Sequence, residues 1–145
     1  MSTPQIIVKA MCLFMYEDKL LLSKHRHTET GKQYYRPLGG GMEFQETSEE
    51  TIRREIQEEL GTAICDLVFV DVLENIFEYK GEKAHQIIFI YRANFVDTTM
   101  YQKNPIPFLE ADLAVHEAEW IGRKEIQECW LVPDGIKTCI KKAYD

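Results

Sequence analysis

The segment from residue 47 to residue 60 most constrains the fold, because its sequence specifies a helix start, a helix end and one apolar face. Thr47, followed by Glu50 three residues later, fits a capping box in which each side chain satisfies a backbone N–H group. Gly61 stands where helices end in the left-handed conformation. The apolar residues between these caps recur at i, i+4 and i+8: Ile52, Ile56 and Leu60. The segment is therefore predicted to be an α-helix that buries one face.

The same helix carries three acidic residues on a second face. Glu55, Glu58 and Glu59 lie at i, i+3 and i+4, which places them within about a quarter of the helix circumference. Three close carboxylates repel one another unless a cation lies between them, and Mg²⁺ prefers oxygen ligands of this kind. Taken alone, the glutamates are more typical of a solvated acidic face, which is common on helices.

The residues around the glutamates favour the metal site. The pattern G-x5-E-x7-R-E-U-x-E-E-x-G-U, where U is a bulky apolar residue, begins at Gly40 and ends at Thr62. Its matching positions are Gly40, Glu46, Arg54, Glu55, Ile56, Glu58, Glu59 and Gly61. In this stretch the chain resembles the Nudix hydrolases, whose signature box has this spacing. It departs from the family at Thr62, where an aliphatic residue is usual, and at Pro37-Leu38-Gly39, where many members have Leu-Pro-Gly.

The resemblance implies an α/β fold of the α+β type, an α/β/α sandwich around a mixed β-sheet. The predicted order of elements, β-β-β-α-β-β-β-α, is compatible with that architecture, and residues 1–145 are predicted to form a single domain. The triple glycine at residues 39–41 is expected to break regular structure. Residues 97–109, which include two prolines, are predicted to be irregular, and the strand prediction for residues 67–79 is interrupted between Leu73 and Ile76.

The resemblance also implies a chemistry. The carbonyl of Gly39 and the side chains of Glu55, Glu58 and Glu59 would coordinate Mg²⁺, with Mn²⁺ as a second candidate. Arg54 would pair with Glu46 and brace the loop against the helix, so that it orients the ligands. A carboxylate would remove a proton from a metal-bound water, and Glu55, Glu58 or a residue outside the box remain alternatives for that base.

The resemblance also implies a further metal carboxylate outside the box, from the loop before the last strand. Glu117, just before Trp120, is the preferred candidate, with Glu110 and Asp112 as alternatives. The competing interpretation, that all of them are ordinary surface acids, carries equal weight.

Four residues are predicted to contact the substrate: Arg36, Gly40, Gly41 and Tyr79. The glycines allow the backbone to approach a phosphate closely. Tyr79 is considered for stacking on a base together with Tyr34, Phe44 and Phe77, although aromatic residues in strands more often belong to the core.

The bulk properties limit partners and location. The formal net charge of −7 disfavours a nucleic-acid surface, and the expected substrate is a small nucleotide or nucleoside diphosphate derivative. Neither a signal peptide nor an apolar run of membrane-spanning length is apparent, and the four cysteines show no zinc spacing. A cytoplasmic location is therefore expected, and a homodimer is suggested by analogy alone.

Three functions compete at this point. The leading hypothesis is metal-dependent hydrolysis of a pyrophosphate linkage. The alternative is a non-catalytic nucleotide-sensing Nudix module, which the complete carboxylate set disfavours. The third, an isomerase of isoprenoid diphosphates, needs a catalytic cysteine, and Cys12 and Cys65 lie in apolar contexts that read as core.

Overall fold

The apolar N-terminal stretch Ile6–Tyr16 forms the central strand β1 in the computed structural model, which describes residues 3–110 and 113–145. The other strands are β2 (Lys19–Arg26), β3 (Gln33–Arg36), β4 (Leu38–Gly41), β5 (Ile64–Tyr79), β6 (Glu82–Phe95), β7 (Ile106–Leu109) and β8 (Val115–Gly122). The α-helices are α1 (Ser48–Leu60), α2 (Arg123–Ile126) and α3 (Ile136–Tyr144). In the described part of the chain, no helix is long and apolar enough to cross a membrane.

The strands form one mixed sheet in the order β5-β6-β1-β2-β8-β7. Strand β1 runs parallel to β6, and its N-terminal half also pairs with the short antiparallel strand β4. Strand β3 pairs with β2 beside it. A groove therefore opens in the sheet. Strands β1 and β4 lie on one side of it, and strands β2 and β3 lie on the other.

Alternating side chains of β1 supply two cores on opposite faces of the sheet, as the two-residue period of a strand requires. Ala10, Cys12 and Phe14 pack with Ile52 and Ile56 of helix α1. The intervening residues pack on the other face with helix α3: Met11 and Leu13 against Ile136 and Ile140. The mixed sheet between helical layers confirms the predicted fold class.

Helix α1 follows its sequence signals. The Thr47 side chain accepts a hydrogen bond from the Glu50 N–H, and the Glu50 side chain accepts one from the Thr47 N–H. Gly61 ends the helix with φ 67°, and its N–H donates to the Gln57 carbonyl. Thr62, the departure from the family pattern, is buried directly after this cap.

Three secondary-structure predictions were wrong. The triple glycine does not break the structure, because Gly39, Gly40 and Gly41 continue strand β4 and pair with β1. Residues 97–109 contain a 3-10 helix (Thr98–Gln102) and strand β7, whose pairing with β8 could not be read from local sequence. Strand β5 is continuous through Glu74 and Asn75, since β6 pairs along it and two bulges absorb the register shifts.

Candidate active site

A guanidinium joins the loop before α1 to the helix itself. Arg54 Nε lies 2.7 Å from Glu46 Oε2, and Arg54 Nη2 lies 3.0 Å from Glu46 Oε1, so the pair is bidentate. Nη2 also donates to the Gly41 carbonyl at 3.0 Å, and Nη1 donates to Glu55 Oε1 at 2.9 Å. Arg54 therefore links Glu46, the glycine strand and the first helical glutamate, as the sequence predicted for its pairing with Glu46.

Glu46 is held in its ionised form. Arg54 and then the Thr51 hydroxyl donate to it, and these bonds lower the pKa of Glu46 from its usual 4.5 to about 2. The same pairing raises the pKa of the Arg54 guanidinium further above its ordinary value. The pair thus keeps both charges throughout the neutral range and can fix the geometry of its neighbours.

The glycines bring strand β4 close to β1 and to α1. A Cβ atom on Gly39, whose φ is +153°, would lie 2.1 Å from the Ala10 carbonyl oxygen of β1. A Cβ atom on Gly40 would lie 2.4 Å from the Glu55 carboxylate carbon. Both close approaches require glycine, and the one at Gly40 places the Glu55 carboxylate directly over the strand.

A cavity of about 330 Å³ lies between the glycine strand and the acidic face of α1. Its lining residues include Gly39 and the box residues Gly40, Gly41, Glu55, Glu58 and Glu59, and Lys9, Arg36 and Glu110 border it. Burial raises the pKa of Glu59 well above its usual range, and the hydrogen bond that protonated Glu59 donates to Glu55, with the charge of Glu55, raises it further. Without a cation, crowded carboxylates relieve their repulsion by holding a proton between them. A hard divalent cation can take the place of that proton, so the donor set fits Mg²⁺ or Mn²⁺.

The candidates outside the box separate in the structure. Glu110 follows strand β7 and borders the cavity, where Arg36 Nη2 donates to its two oxygens at 2.9 and 3.2 Å. Glu117 is exposed on β8 and does not line this cavity. It alternates with Ala118, which packs in the core beneath α1, so its side chain points to the opposite face of the sheet. Asp112 lies outside the described residues.

A second cavity, of about 410 Å³, adjoins the first across Lys9 and Arg36. Aromatic and histidine rings line it: His27, Tyr34, Phe77, Tyr79 and Trp130. Tyr34 and Trp130 have ring centroids 5.2 Å apart, and Lys32 Nζ lies 4.8 Å from the Trp130 centroid. Tyr79, predicted to touch the substrate, lies here rather than beside the glutamates, whereas Phe44 is almost fully exposed.

Two lining residues escaped the sequence analysis. Lys9 is a half-buried cation at the border of both cavities, and burial, with nearby Arg36, lowers its pKa. A lysine within an otherwise apolar strand was the available signal. Trp130 precedes helix α3, and only the bridge between its neighbour Leu131 and Tyr35 of β3 brings it to the groove.

Comparisons with known proteins identify a family that matches most of the chain. The model of the NUDIX domain matches residues 6–141. A NUDIX hydrolase from Nitrosomonas europaea superposes with a TM-score of 0.70 at 16% identity, covering 97% of this chain and 89% of that one. A MutT NUDIX hydrolase from Burkholderia pseudomallei superposes with a TM-score of 0.65 at 23% identity, covering 95% and 98%. A MutT protein from Bacillus halodurans gives 0.62 at 17% identity, covering 94% and 80%.

Proposed function

The chain belongs to the Nudix family, and on that premise we propose that it hydrolyses a pyrophosphate linkage in a nucleotide or nucleoside diphosphate derivative with the help of a divalent cation. Its placement among the hydrolases of phosphoric anhydride bonds follows from family membership. The observation that carries the proposal is the cavity in which Glu55, Glu58 and Glu59 face the glycine strand while Arg54 fixes Glu55.

The proposed metal ligands are Glu55, Glu58 and Glu59, together with the carbonyl of Gly39. A divalent cation at this position would neutralise the diphosphate and lower the pKa of a bound water. Glu117 is left out of the set because it does not line the cavity. Glu110 is assigned a positioning role, since it already holds the Arg36 guanidinium at the border of the site.

The residues around the cations have separate tasks. Arg54 and Glu46 position Glu55 without touching the reacting atoms. Glu58 remains a candidate for the base that takes the proton of the attacking water, because its side chain is 59% exposed toward solvent. Glu55 is the alternative, but Arg54 Nη1 holds it more closely, at 2.9 Å, than it holds Glu58, at 3.4 and 3.5 Å. Arg36 and Lys9 offer two cations to the phosphates at the border between the cavities.

The aromatic cavity supports a nucleoside as the second half of the substrate. Tyr34, Tyr79 and Trp130 present ring surfaces on which a base can stack. The buried amide of Asn75 and the half-buried Gln86 add hydrogen-bonding groups to the same wall. Lys9 and Arg36 lie between the two cavities. A nucleotide with its base in the aromatic cavity would therefore extend its phosphates past these two cations to the glutamates of the other cavity.

The sequence expectations of a cytoplasmic location, a homodimer and one domain over residues 1–145 remain proposals beside this one. The homodimer rests on analogy, so the oligomeric state is best measured directly by light scattering during size-exclusion chromatography.

The decisive experiment is a turnover screen of nucleoside diphosphate derivatives and nucleotides with Mg²⁺ and with Mn²⁺. We expect hydrolysis of at least one substrate, and a decrease in kcat of about 10²- to 10⁴-fold in Glu58→Gln. Glu49→Gln is the matched control, since Glu49 is an exposed glutamate in the first turn of the same helix.

The outcomes separate the competing functions. Equal losses in both variants, or unchanged turnover in Glu58→Gln, would contradict the assignment. Tight nucleotide binding without turnover of any substrate would favour the sensing module instead, and a product that retains its diphosphate would favour an isomerase.

A further inference from the structure

A second group of potential metal ligands lies beside the active site, on strands that the signature box does not include. His25 belongs to β2, His116 to β8, and Glu110 directly follows β7. One ligand atom from each of the three residues lies within 4.8 Å of the other two. All three residues are half-buried, and they line a third cavity of about 430 Å³, which shares Arg36 and Glu110 with the first.

The register of the sheet creates this cluster. Ser23 pairs with Ala118 and Lys24 pairs with Glu117, so the next position along the antiparallel ladder sets His25 beside His116. Phe108 pairs with His116 on the other side, which brings the end of β7 and Glu110 to the same row. The imidazole centroids of the two histidines are 5.0 Å apart. Strands β2 and β8 and the residue after β7 thus present nitrogen, nitrogen and carboxylate donors to one point.

The distances are close to those of a tetrahedral site. His25 Nε2 lies 3.9 Å from Glu110 Oε1, and His116 Nε2 lies 3.9 Å from Glu110 Oε2. Metal–ligand bonds of about 2.0–2.1 Å in tetrahedral geometry place neighbouring donors roughly 3.3–3.5 Å apart. With one ligand atom from each residue the separations reach up to 4.8 Å, so side-chain shifts of roughly 1 Å would be needed to complete the geometry.

The donor set selects a different ion from the one proposed for the glutamates. Imidazole suits Zn²⁺ and other late transition metals, whereas Mg²⁺ strongly prefers oxygen. Two histidines and one glutamate also form the three-ligand set of known zinc centres, in which a fourth position remains for water or another ligand. The buried Ser23 hydroxyl lies 2.5 Å from His25 Nε2, so a metal on this nitrogen would have to displace that hydrogen bond.

Among the residues that the structure describes, Arg36 competes with a metal for Glu110. It donates to both oxygens of Glu110, but through the single nitrogen Nη2. An ionised carboxylate has about four acceptor directions, so the guanidinium leaves room for a metal on the same group. Lys24 and Arg26 also line the cavity, and their positive charges lower the expected affinity without closing the site.

We propose that His25, His116 and Glu110 form a binding site for Zn²⁺ or a similar transition-metal ion, distinct from the carboxylate site of the signature box. The ion would cross-link β2, β8 and the end of β7. Through Glu110 it would also fix the position of Arg36 at the border of the active site.

The test is a Zn²⁺ titration of chelator-treated protein in excess Mg²⁺, which occupies oxygen-only sites. We expect isothermal titration calorimetry to show one tightly bound Zn²⁺ ion per chain. Binding should raise the Tm of the protein, and Co²⁺ in place of Zn²⁺ should give visible absorption. His116→Ala and His25→Ala should each weaken binding by at least about 10- to 100-fold. Circular dichroism and the metal-free Tm establish that each variant is folded.

Two controls locate the ion. His85→Ala removes a half-buried histidine on β6 outside the cluster and should leave Zn²⁺ affinity unchanged. Glu58→Gln should also retain it, even if that variant loses hydrolysis, so this test does not depend on the proposed activity. The proposal would be overturned if the wild-type protein bound no Zn²⁺ tightly, or if folded His116→Ala bound Zn²⁺ with unchanged affinity. It would also be overturned if, among the variants, only Glu58→Gln lost Zn²⁺ binding.

Discussion

Arg54 shows how one residue converts an acidic helix face into an ordered site. Its guanidinium contacts Glu46 from the loop, Gly41 from β4 and Glu55 from its own helix. A lysine would supply the charge but not the planar fork that reaches these acceptors in fixed directions. The carboxylate of Glu55 is therefore oriented by the protein before any cation or substrate arrives, and this reduces the reorganisation that binding requires.

Gly39 and Gly40 are adjacent but should respond differently to alanine. In Gly40→Ala the new methyl group meets only the end of the Glu55 side chain, so we expect a nearly unchanged Tm and a decrease in kcat/KM of about 100-fold. In Gly39→Ala the methyl meets the backbone of Ala10 at a φ that disfavours side chains, so unfolding should become easier by about 1–3 kcal/mol.

Thermal unfolding and steady-state kinetics of the two variants check this prediction. Gly41→Ala is the stability control, because a Cβ atom there meets no atom within 4 Å. A large decrease in Tm for Gly40→Ala, or full activity in that variant, would show that the contact with Glu55 does not have the assigned role.

At the scale of elements, the sequence predicted local structure better than pairing. Helix α1 was predicted with its caps, because Thr47, Glu50 and Gly61 act on neighbouring backbone groups. Strand β4 was missed because its glycines have low strand propensity and are held in place by β1. The role of the signature glutamates was inferred from the resemblance to the family motif, whereas Trp130 and the pair His25–His116 depend on sheet register and left no local signal.

The pair of Glu46 and Arg54 couples the loop before α1 to the helix, and its contribution should depend on pH. The pKa of Glu46 is lower in the folded chain than in the unfolded chain, so folding favours the ionised form. The stabilisation is fully present above the usual pKa of 4.5 and is lost as the pH falls toward about 2. We expect Glu46→Gln to have a lower Tm than wild type at neutral pH, and the gap to shrink below pH 4.5.

Paired melting curves from neutral to acidic pH measure this gap directly. Taking the difference between wild type and variant cancels carboxylates that titrate in both proteins. Glu49→Gln, which removes an acid without a bidentate partner, should show a smaller gap at neutral pH. A gap for Glu46→Gln that is constant across the range would mean that the lost stability is unrelated to ionisation of Glu46.

For the whole molecule, the two cores are joined through the strands that separate them. Residues of β1 alternate between the core beneath α1 and the core beneath α3, and β2 does the same with Leu21 on one side and Leu20 and Leu22 on the other. Neither helical layer can lose its packing without exposing one face of these shared strands. The site depends on this arrangement, because the glutamates come from one layer and Trp130 from a segment that leads into the other.

The shared strands predict a single cooperative unfolding transition, and the two tryptophans provide a reporter for each side. Trp120 belongs to the core beneath α1, while Trp130 adjoins Leu131 of the core beneath α3.

Ile56→Val on the α1 side should lower the free energy of unfolding by about 0.5–1.5 kcal/mol. We expect this loss to be equal whether urea unfolding is followed in a Trp120→Phe or a Trp130→Phe background, since both cores unfold together. Ile140→Val tests the reverse direction from the α3 side. If the Trp130 signal were insensitive to Ile56→Val while the Trp120 signal shifted, the two layers would unfold independently and β1 would not couple them.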